Sequence, residues 1–205
     1  MVVWDVGTNV GLFGFCAAAL GATVYALEPD TFMVSLLRRS ARKNGPAVTP
    51  IPVAISDHRG LVDFNIAGRG RSANFVTKDR SDAGGILFKE TVPCVTLDCL
   101  SERLPGPDFI KIDVEDSENA VLTGGTDLLR NKHPMIFCEV SEDRSSRDHT
   151  TTLLHAAGYR LFNVKSDTWV ERAVWSTLAV FGDSVHPQMS TARARQAETV
   201  KREVS

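Results

Sequence analysis

The chain is short of several things, and each shortage excludes a class of protein. Its 205 residues hold only four cysteines and two tyrosines. Cys16, Cys94, Cys99 and Cys138 form no CxxC pair, which argues against a zinc site or a disulfide framework and leaves buried, reduced thiols of a cytoplasmic protein as the expectation. Charge of one sign is also missing. The 23 basic and 25 acidic residues leave a net charge of −2, so there is no electrostatic footprint for nucleic acid or an anionic membrane, and a small or neutral molecule is the expected partner. No unbroken apolar helix is present either. Val6 to Leu27 lacks any charged residue, yet it carries Gly7, Gly11, Gly14 and Gly21 with Thr8, Asn9 and Thr23, so it reads as two strand-like runs around small residues and not as a membrane span. The N-terminus has no basic region ahead of an apolar core, hence no signal peptide, and there is no internal repeat. Little chain precedes the first strand-like residue, Val2, so the domain is expected to be cut short or unusually compact at that end.

What is there is an ordinary globular mix, 43% apolar and 23% charged. One domain over residues 1–183 is expected, with a charged tail over 184–205, helical or disordered, where core-forming residues become scarce from His186. Strand-like runs at Val2–Asp5, Thr23–Leu27, Thr49–Ser56, Phe109–Asp113 and Met135–Val140 alternate with helical segments at Leu12–Leu20, after Asp30 or Thr31 to Asn44, and at Ser117–Leu122. The second helix should carry Leu36 and Leu37 inward. Leu61–Ile66 and Thr91–Leu97 look like a pair enclosing a polar loop or lid, Gly68–Gly85, which carries Arg69 and Arg71. A helix around Thr150–Ala157 precedes two final runs, Tyr159–Val164 and Ala173–Phe181, which read as an antiparallel pair. The expected architecture is α/β: a mostly parallel sheet with an antiparallel C-terminal edge and helices on both faces. Such sheets bind ligands beyond the carboxyl ends of their strands.

The residues that follow each strand therefore matter most. Asp5-Val6-Gly7-Thr8-Asn9-Val10-Gly11 stands between the first strand and the first helix, where glycines allow a tight turn and close approach to a ligand. The spacing Gly7-x-x-x-Gly11-x-x-Gly14 misses the Gly-x-Gly-x-x-Gly of dinucleotide sites. Asp5 would repel a pyrophosphate but attract the sulfonium and ammonium of S-adenosylmethionine (SAM). Glu28 ends the second strand about 20 residues beyond Gly7, the offset at which an acid accepts hydrogen bonds from ribose hydroxyls. Ser56 and Asp57 follow the third strand and would lie over an adenine, although turn chemistry alone also explains Asp57. In Lys111-Ile112-Asp113 the Lys and Asp point to one side of a strand and could simply pair. Alternatively Asp113 faces the transferred methyl, as general base for an acceptor hydroxyl or as a holder of a divalent cation with Glu139 at the next strand end. Two carboxylates are too few to assign a metal. Glu115, Asp116 and Glu118 read as first-turn acids complementing a helix dipole, and His58, His133, His149 and His155 as histidines with no partner.

Taken in order, five blocks carry a resemblance: Asp5–Gly11, Ala26-Leu27-Glu28-Pro29, Val53-Ala54-Ile55-Ser56-Asp57, Val95-Thr96-Leu97-Asp98 and Asp108–Glu115, followed by Glu139 and Gly158-Tyr159. The chain resembles the FkbM family of SAM-dependent methyltransferases. The resemblance implies a Rossmann-like class I methyltransferase sheet and O-methylation of a hydroxyl on a sugar, polyketide or other small metabolite. On this reading Asp5, Gly7, Thr8, Asn9, Gly11, Glu28, Ser56, Asp57 and Asp113 are expected at the cofactor, and Asp113, Lys111 and Glu139 at the reaction. Two departures stand out: Asp116 occupies a position where the family usually has Gly, and the segment that usually precedes the first strand is missing. A non-catalytic SAM-binding scaffold and, less favoured by the loop spacing, an NAD(P)-dependent oxidoreductase are the competing expectations.

Overall fold

The computed structural model describes residues 1–45, 47–67 and 86–182. Along the chain β1 (Val2–Val6) leads into α1 (Leu12–Ala19), β2 (Thr23–Leu27) into α2 (Thr31–Asn44), and β3 (Val48–Ile51) into the two-residue β4 (Ala54–Ile55). β5 (Gly60–Ala67), β6 (Ile86–Val95) and α3 (Leu97–Ser101) follow. The second half runs β7 (Phe109–Ile112), α4 (Glu118–Thr123), α5 (Thr126–Lys132), β8 (Met135–Glu139), α6 (Arg144–Ala156), β9 (Tyr159–Asn163), β10 (Thr168–Val170) and β11 (Ser176–Phe181).

Eight strands form one sheet in the order β10-β9-β11-β8-β7-β1-β2-β3. β3, β2, β1, β7 and β8 are parallel, and β11 inserts antiparallel between β8 and β9, which gives the expected parallel sheet with an antiparallel edge. Alternation along β1 decides the two faces. Val3 joins Val24, Ala26 and Val48 under Phe15, Ala17 and Ala18 of α1. Trp4 and Val6 join Ile110, Ile112, Ile136 and Cys138 against α4, α5 and α6. Both sets are almost fully buried, so each strand of the parallel core carries apolar side chains on both faces, as helix-covered sheets require.

Several boundaries differ from expectation, each for a local reason. The run Thr49–Ser56 is two strands, not one: Pro52 has no N–H to continue a ladder, so β3 closes the edge of the large sheet while β4 pairs with β6 in a separate three-stranded sheet, β4-β6-β5. α6 starts at Arg144, before Thr150, because the Asp143 side chain accepts from the N–H of Ser146 at 2.9 Å and caps it. α3 and α5 are too short to show a helical period, and β10 is only three residues long. The last strand begins at Ser176 and leaves Ala173 in the preceding loop. In α2 the buried stripe is Met33, Val34 and Leu37, with Leu36 only half-buried. Of the thiols only Cys94 and Cys138 are buried; Cys16 is exposed on α1. His58 pairs with Asp57, and His133 stacks on Phe181 with ring centroids 3.5 Å apart, so neither lacks a partner. Glu115 and Asp116 precede α4 instead of opening it, and Asp116 holds φ 59°, the left-handed region that explains why glycine suits this position. The Gly68–Gly85 loop with Arg69 and Arg71, and the tail from 184, lie outside the described residues. No helix among the described residues is long and apolar enough to cross a membrane.

Asp98 joins two of the unexpected elements. It lies in α3, and its carboxylate accepts from the backbone N–H groups of Leu128 at 2.7 Å and Asp127 at 3.2 Å, satisfying the start of α5. Asp98→Ala should lower the unfolding free energy by about 1–2 kcal/mol, seen as a lower urea midpoint with an unchanged slope; a change below about 0.5 kcal/mol, on the order of an ordinary surface substitution, would contradict this role.

Candidate functional site

The chain leaves β1 toward β2 and β3 on one side and reaches β7 and β8 on the other, so the carboxyl ends of β1 and β7 flank the point where strand order reverses. The loop after β1 is pinned there. Gly7 and Thr8 donate to the Leu27 carbonyl at 3.0 and 3.3 Å. Gly7 has φ 73°, and a Cβ at this position would be driven into the carbonyl oxygen of Asp113. Only glycine lets the loop lie on the end of β7. Gly11, at φ 85°, caps α1 with no side-chain hydrogen bond, and α1 has no acid in its first turn.

Beneath this loop lies a buried charge cluster. Asp5 is fully buried; its Oδ2 accepts from the Thr8 hydroxyl at 2.6 Å, and its Oδ1 faces the Lys111 ammonium at 3.6 Å, an ion pair and not a hydrogen bond. Lys111, the residue opposite Asp5 across the β1–β7 ladder, donates to Asp113 Oδ2 at 2.8 Å. Burial raises the Asp5 carboxyl above its usual range, and Lys111 opposes the rise. Thr8 and Lys111 are thus engaged in holding Asp5, while Asp113, at the strand end, is about 40% exposed.

Glu28 is only 6% exposed. Its two oxygens accept from the backbone N–H of Asn9 at 2.8 Å and of Asp30 at 2.9 Å, so the acid ending β2 also fixes the glycine loop. Burial pushes its carboxyl up to about 7 against the lowering effect of those two donors. Ser56 and Asp57 make their hydrogen bonds elsewhere. Ser56 is buried and donates to Asp57 Oδ1 at 3.2 Å; Asp57 is exposed, and its carboxyl is held below its usual range by hydrogen bonds from His58 and Ser56. Gly124 allows the α4–α5 junction to sit directly on the Ser56 carbonyl.

Glu139 and Asp113 share the lining of a cavity of about 890 Å³ beyond the ends of β7 and β8. Burial first, then the Asp113 charge, raises the Glu139 carboxyl. Asn119 ties the wall together: its side chain donates to Ser146 Oγ at 2.9 Å and accepts from the Thr150 hydroxyl at 2.8 Å, joining α4 to α6. Glu118, Trp175 and His149 also line this cavity, and sequence reasoning assigned none of them. No spacing signal could have found Trp175, which arrives from the loop before β11. Among the described residues no group of three or more His, Cys, Asp or Glu side chains is placed to hold a metal ion.

The glycine-loop residues, Lys111 and Asp113 therefore meet at one point, Glu139 joins them across the cavity, and Ser56 and Asp57 stand at the α4–α5 junction. The donor set fits SAM: it offers carboxylates to a sulfonium, an ammonium and ribose hydroxyls, and its single cation among the described residues, Lys111, is held by Asp5 and Asp113 and is not free for a phosphate.

The family model described as the methyltransferase FkbM domain matches residues 5–161. A hexuronic acid methyltransferase, AglP, of Haloferax volcanii is 29% identical over 160 residues, covering 76% of this chain and 62% of that protein. The chain thus spans under two thirds of that relative. The crystal structure of a methyltransferase FkbM from Methylobacillus flagellatus KT superposes with a TM-score of 0.58 at 18% identity, over 87% of this chain and 43% of that one, and shares its fold.

Two outcomes follow from the geometry. Lys111→Met should destabilise the protein by roughly 3 kcal/mol or more, because it strands the Asp5 charge, and adding Asp5→Asn should recover a large part of the loss; urea unfolding of both variants checks this. Glu28, with its carboxyl raised to about 7, binds a proton in the folded state that the unfolded chain has released, so its contribution is complete below about 4.5 and is lost as pH rises through 7. Glu28→Gln should flatten the fall in stability between pH 5 and 8 by about 3 kcal/mol, and an unchanged slope would contradict the assignment.

Proposed function

Because the chain belongs to the FkbM methyltransferase family, we propose that it transfers the methyl group of SAM to a hydroxyl of a small acceptor: a sugar, a polyketide or another small metabolite. The observation that carries this reading is the contact between Gly7 and the Asp113 carbonyl, which sets the cofactor loop directly against the one exposed carboxylate of the charge cluster. A hexuronic acid is the acceptor class in the name of the Haloferax volcanii relative, which favours a sugar over a polyketide.

The bound cofactor would supply an electrophilic methyl and its own leaving group. What remains for the protein is alignment, exclusion of water and disposal of one proton. Asp5, the Gly7–Gly11 loop and Glu28 would hold the cofactor. The acceptor oxygen would attack along the line to the sulfur, and its proton would pass to Asp113, whose other oxygen stays bound to Lys111. The Lys111 ammonium orients Asp113 through its hydrogen bond, and Glu139 raises the negative field around it. A nicotinamide chemistry is disfavoured, since among the described residues the cation beside the loop, Lys111, is held by Asp5 and Asp113.

Calorimetry should show SAM and S-adenosylhomocysteine binding, weakened in Glu28→Ala. Asp113→Asn should lower kcat at saturating cofactor by about 10²-fold or more while leaving S-adenosylhomocysteine binding within a few fold. No cofactor binding would remove the proposal. Binding without transfer to any of a panel of sugars and polyketides would favour a non-catalytic SAM-binding domain.

A further inference from the structure

The three tryptophans of the chain stand in three different environments. Trp4 is fully buried in the sheet. Trp169 is 42% exposed but already engaged: Phe162 meets it edge to face with ring centroids 5.3 Å apart, and the Arg160 guanidinium lies 4.3 Å from its ring centroid. Trp175 is 49% exposed, and among the described residues no aromatic ring or cation covers its face.

The backbone that carries Trp175 is nevertheless held on both sides. The Ala173 N–H donates to the Thr151 hydroxyl of α6 at 2.9 Å, and the Val174 N–H to the hydroxyl of the buried Thr177 at 2.8 Å. The Trp175 carbonyl accepts from the Val140 N–H at 2.9 Å, and Ser176 pairs with Glu139 across the β11–β8 ladder, so Trp175 is fixed beside the end of β8. A tethered segment that leaves its largest side chain uncovered is ordered before a ligand arrives, and a ligand lying on that ring loses little affinity to ordering it.

Trp175 lines the cavity of about 890 Å³ that Asp113 and Glu139 share, a volume for a whole small molecule. Among the described residues only Val114 adds a second apolar side chain to that lining. One apolar face in an otherwise polar cavity selects the shape of its ligand. A planar aromatic acceptor needs apolar cover on both faces and would find it on one. A pyranose has a face of C–H groups, which suits the electron-rich face of an indole, and a rim of hydroxyls, which suits polar walls.

We propose that Trp175 is the platform for the methyl acceptor: a pyranose lies with its C–H face on the indole, which presents a rim hydroxyl to Asp113. The proposal rests on the methyltransferase reading and adds to it the residue that orients the acceptor ring.

The test is NMR on the full, isotope-labelled chain saturated with S-adenosylhomocysteine, in which each tryptophan gives one indole N–H signal and Trp175→Phe identifies that of Trp175. Glucose, galactose, mannose and glucuronate are the probes, with phenol as the planar comparison. At least one of the sugars should shift the Trp175 signal to saturation and leave those of Trp4 and Trp169 in place. Followed at the Asn119 side-chain amide, Trp175→Ala should weaken that sugar by about ten-fold or more, and Trp175→Phe should hold it within about three-fold. A Trp175 signal that no sugar moves, an equal shift at Trp169, unchanged sugar affinity in Trp175→Ala, or phenol saturating the Trp175 signal at a lower concentration than every sugar would overturn the proposal. The wild-type signals decide if the alanine variant does not fold. Failure to bind S-adenosylhomocysteine would instead count against the methyltransferase reading itself.

Discussion

The structure depends on one buried carboxylate. Asp5 sits at the centre of the sheet, fully inaccessible, between β2 and β7. Removing such a charge from water is costly unless a counter-charge and hydrogen bonds follow it. Here the Thr8 hydroxyl supplies the bond and Lys111 the charge, and both arrive by the local geometry of neighbouring segments. Thr8 belongs to the glycine loop, so satisfying Asp5 also fixes the loop. Lys111 lies on β7 and carries Asp113 with it, two residues on along the same face. One electrostatic requirement thus sets both the loop after β1 and the carboxylate at the end of β7. Gly14 completes the arrangement: a Cβ there would lie 3.1 Å from Asp5 Oδ2, so its absence leaves room for α1 over the carboxylate.

Glu28 repeats the same logic one strand away. Its oxygens bind the N–H of Asn9 and of Asp30, so the acid that ends β2 joins the loop after β1 to the start of α2. Asp30 in turn caps α2 through the N–H groups of Phe32 and Met33. Backbone donors that a loop would otherwise leave exposed are satisfied by side chains from the next strand. The loop is therefore held in shape from below by Asp5 and from the side by Glu28 before any ligand arrives, which is the preorganisation that positioning chemistry requires.

How far the sequence revealed this depends on the length scale of each signal. The parallel core was legible, because mostly apolar, strand-like runs such as Val2–Val6 and Thr23–Leu27 alternate with helical patterns. So was the glycine loop after β1, whose glycines stand at a strand-to-helix turn. What stayed hidden were features decided by tertiary partners. α5 exists because Asp98, about thirty residues earlier, satisfies its first donors, and no local window contains that information. The division at Pro52 was readable in principle, since a proline ends a ladder, but the strand-like residues on both sides masked it. Glu118 illustrates the commonest misreading. An acid in a first helical turn is usually solvated and complements the dipole, and only the packing of α4 against α6 through Asn119 shows that this one is buried.

On the proposed reaction, the balance of charge at the site matters as much as its shape. A sulfonium carries a positive charge that is lost when the methyl departs, so carboxylates around it favour the reactant over the transition state and over the neutral thioether product. An excess of negative field would tighten cofactor binding and slow transfer. Asp5, Lys111 and Asp113 together carry one net negative charge, not two. Lys111 thus does two things with one ammonium: it makes the burial of Asp5 tolerable, and it limits the field at the methyl while holding Asp113 in place. The wider excess of carboxylates lies on the other side of Asp113, along the cavity wall of α4 and the β8–α6 loop. There it acts on whatever enters as acceptor, and the fold keeps the two charge environments separate with a single strand end between them.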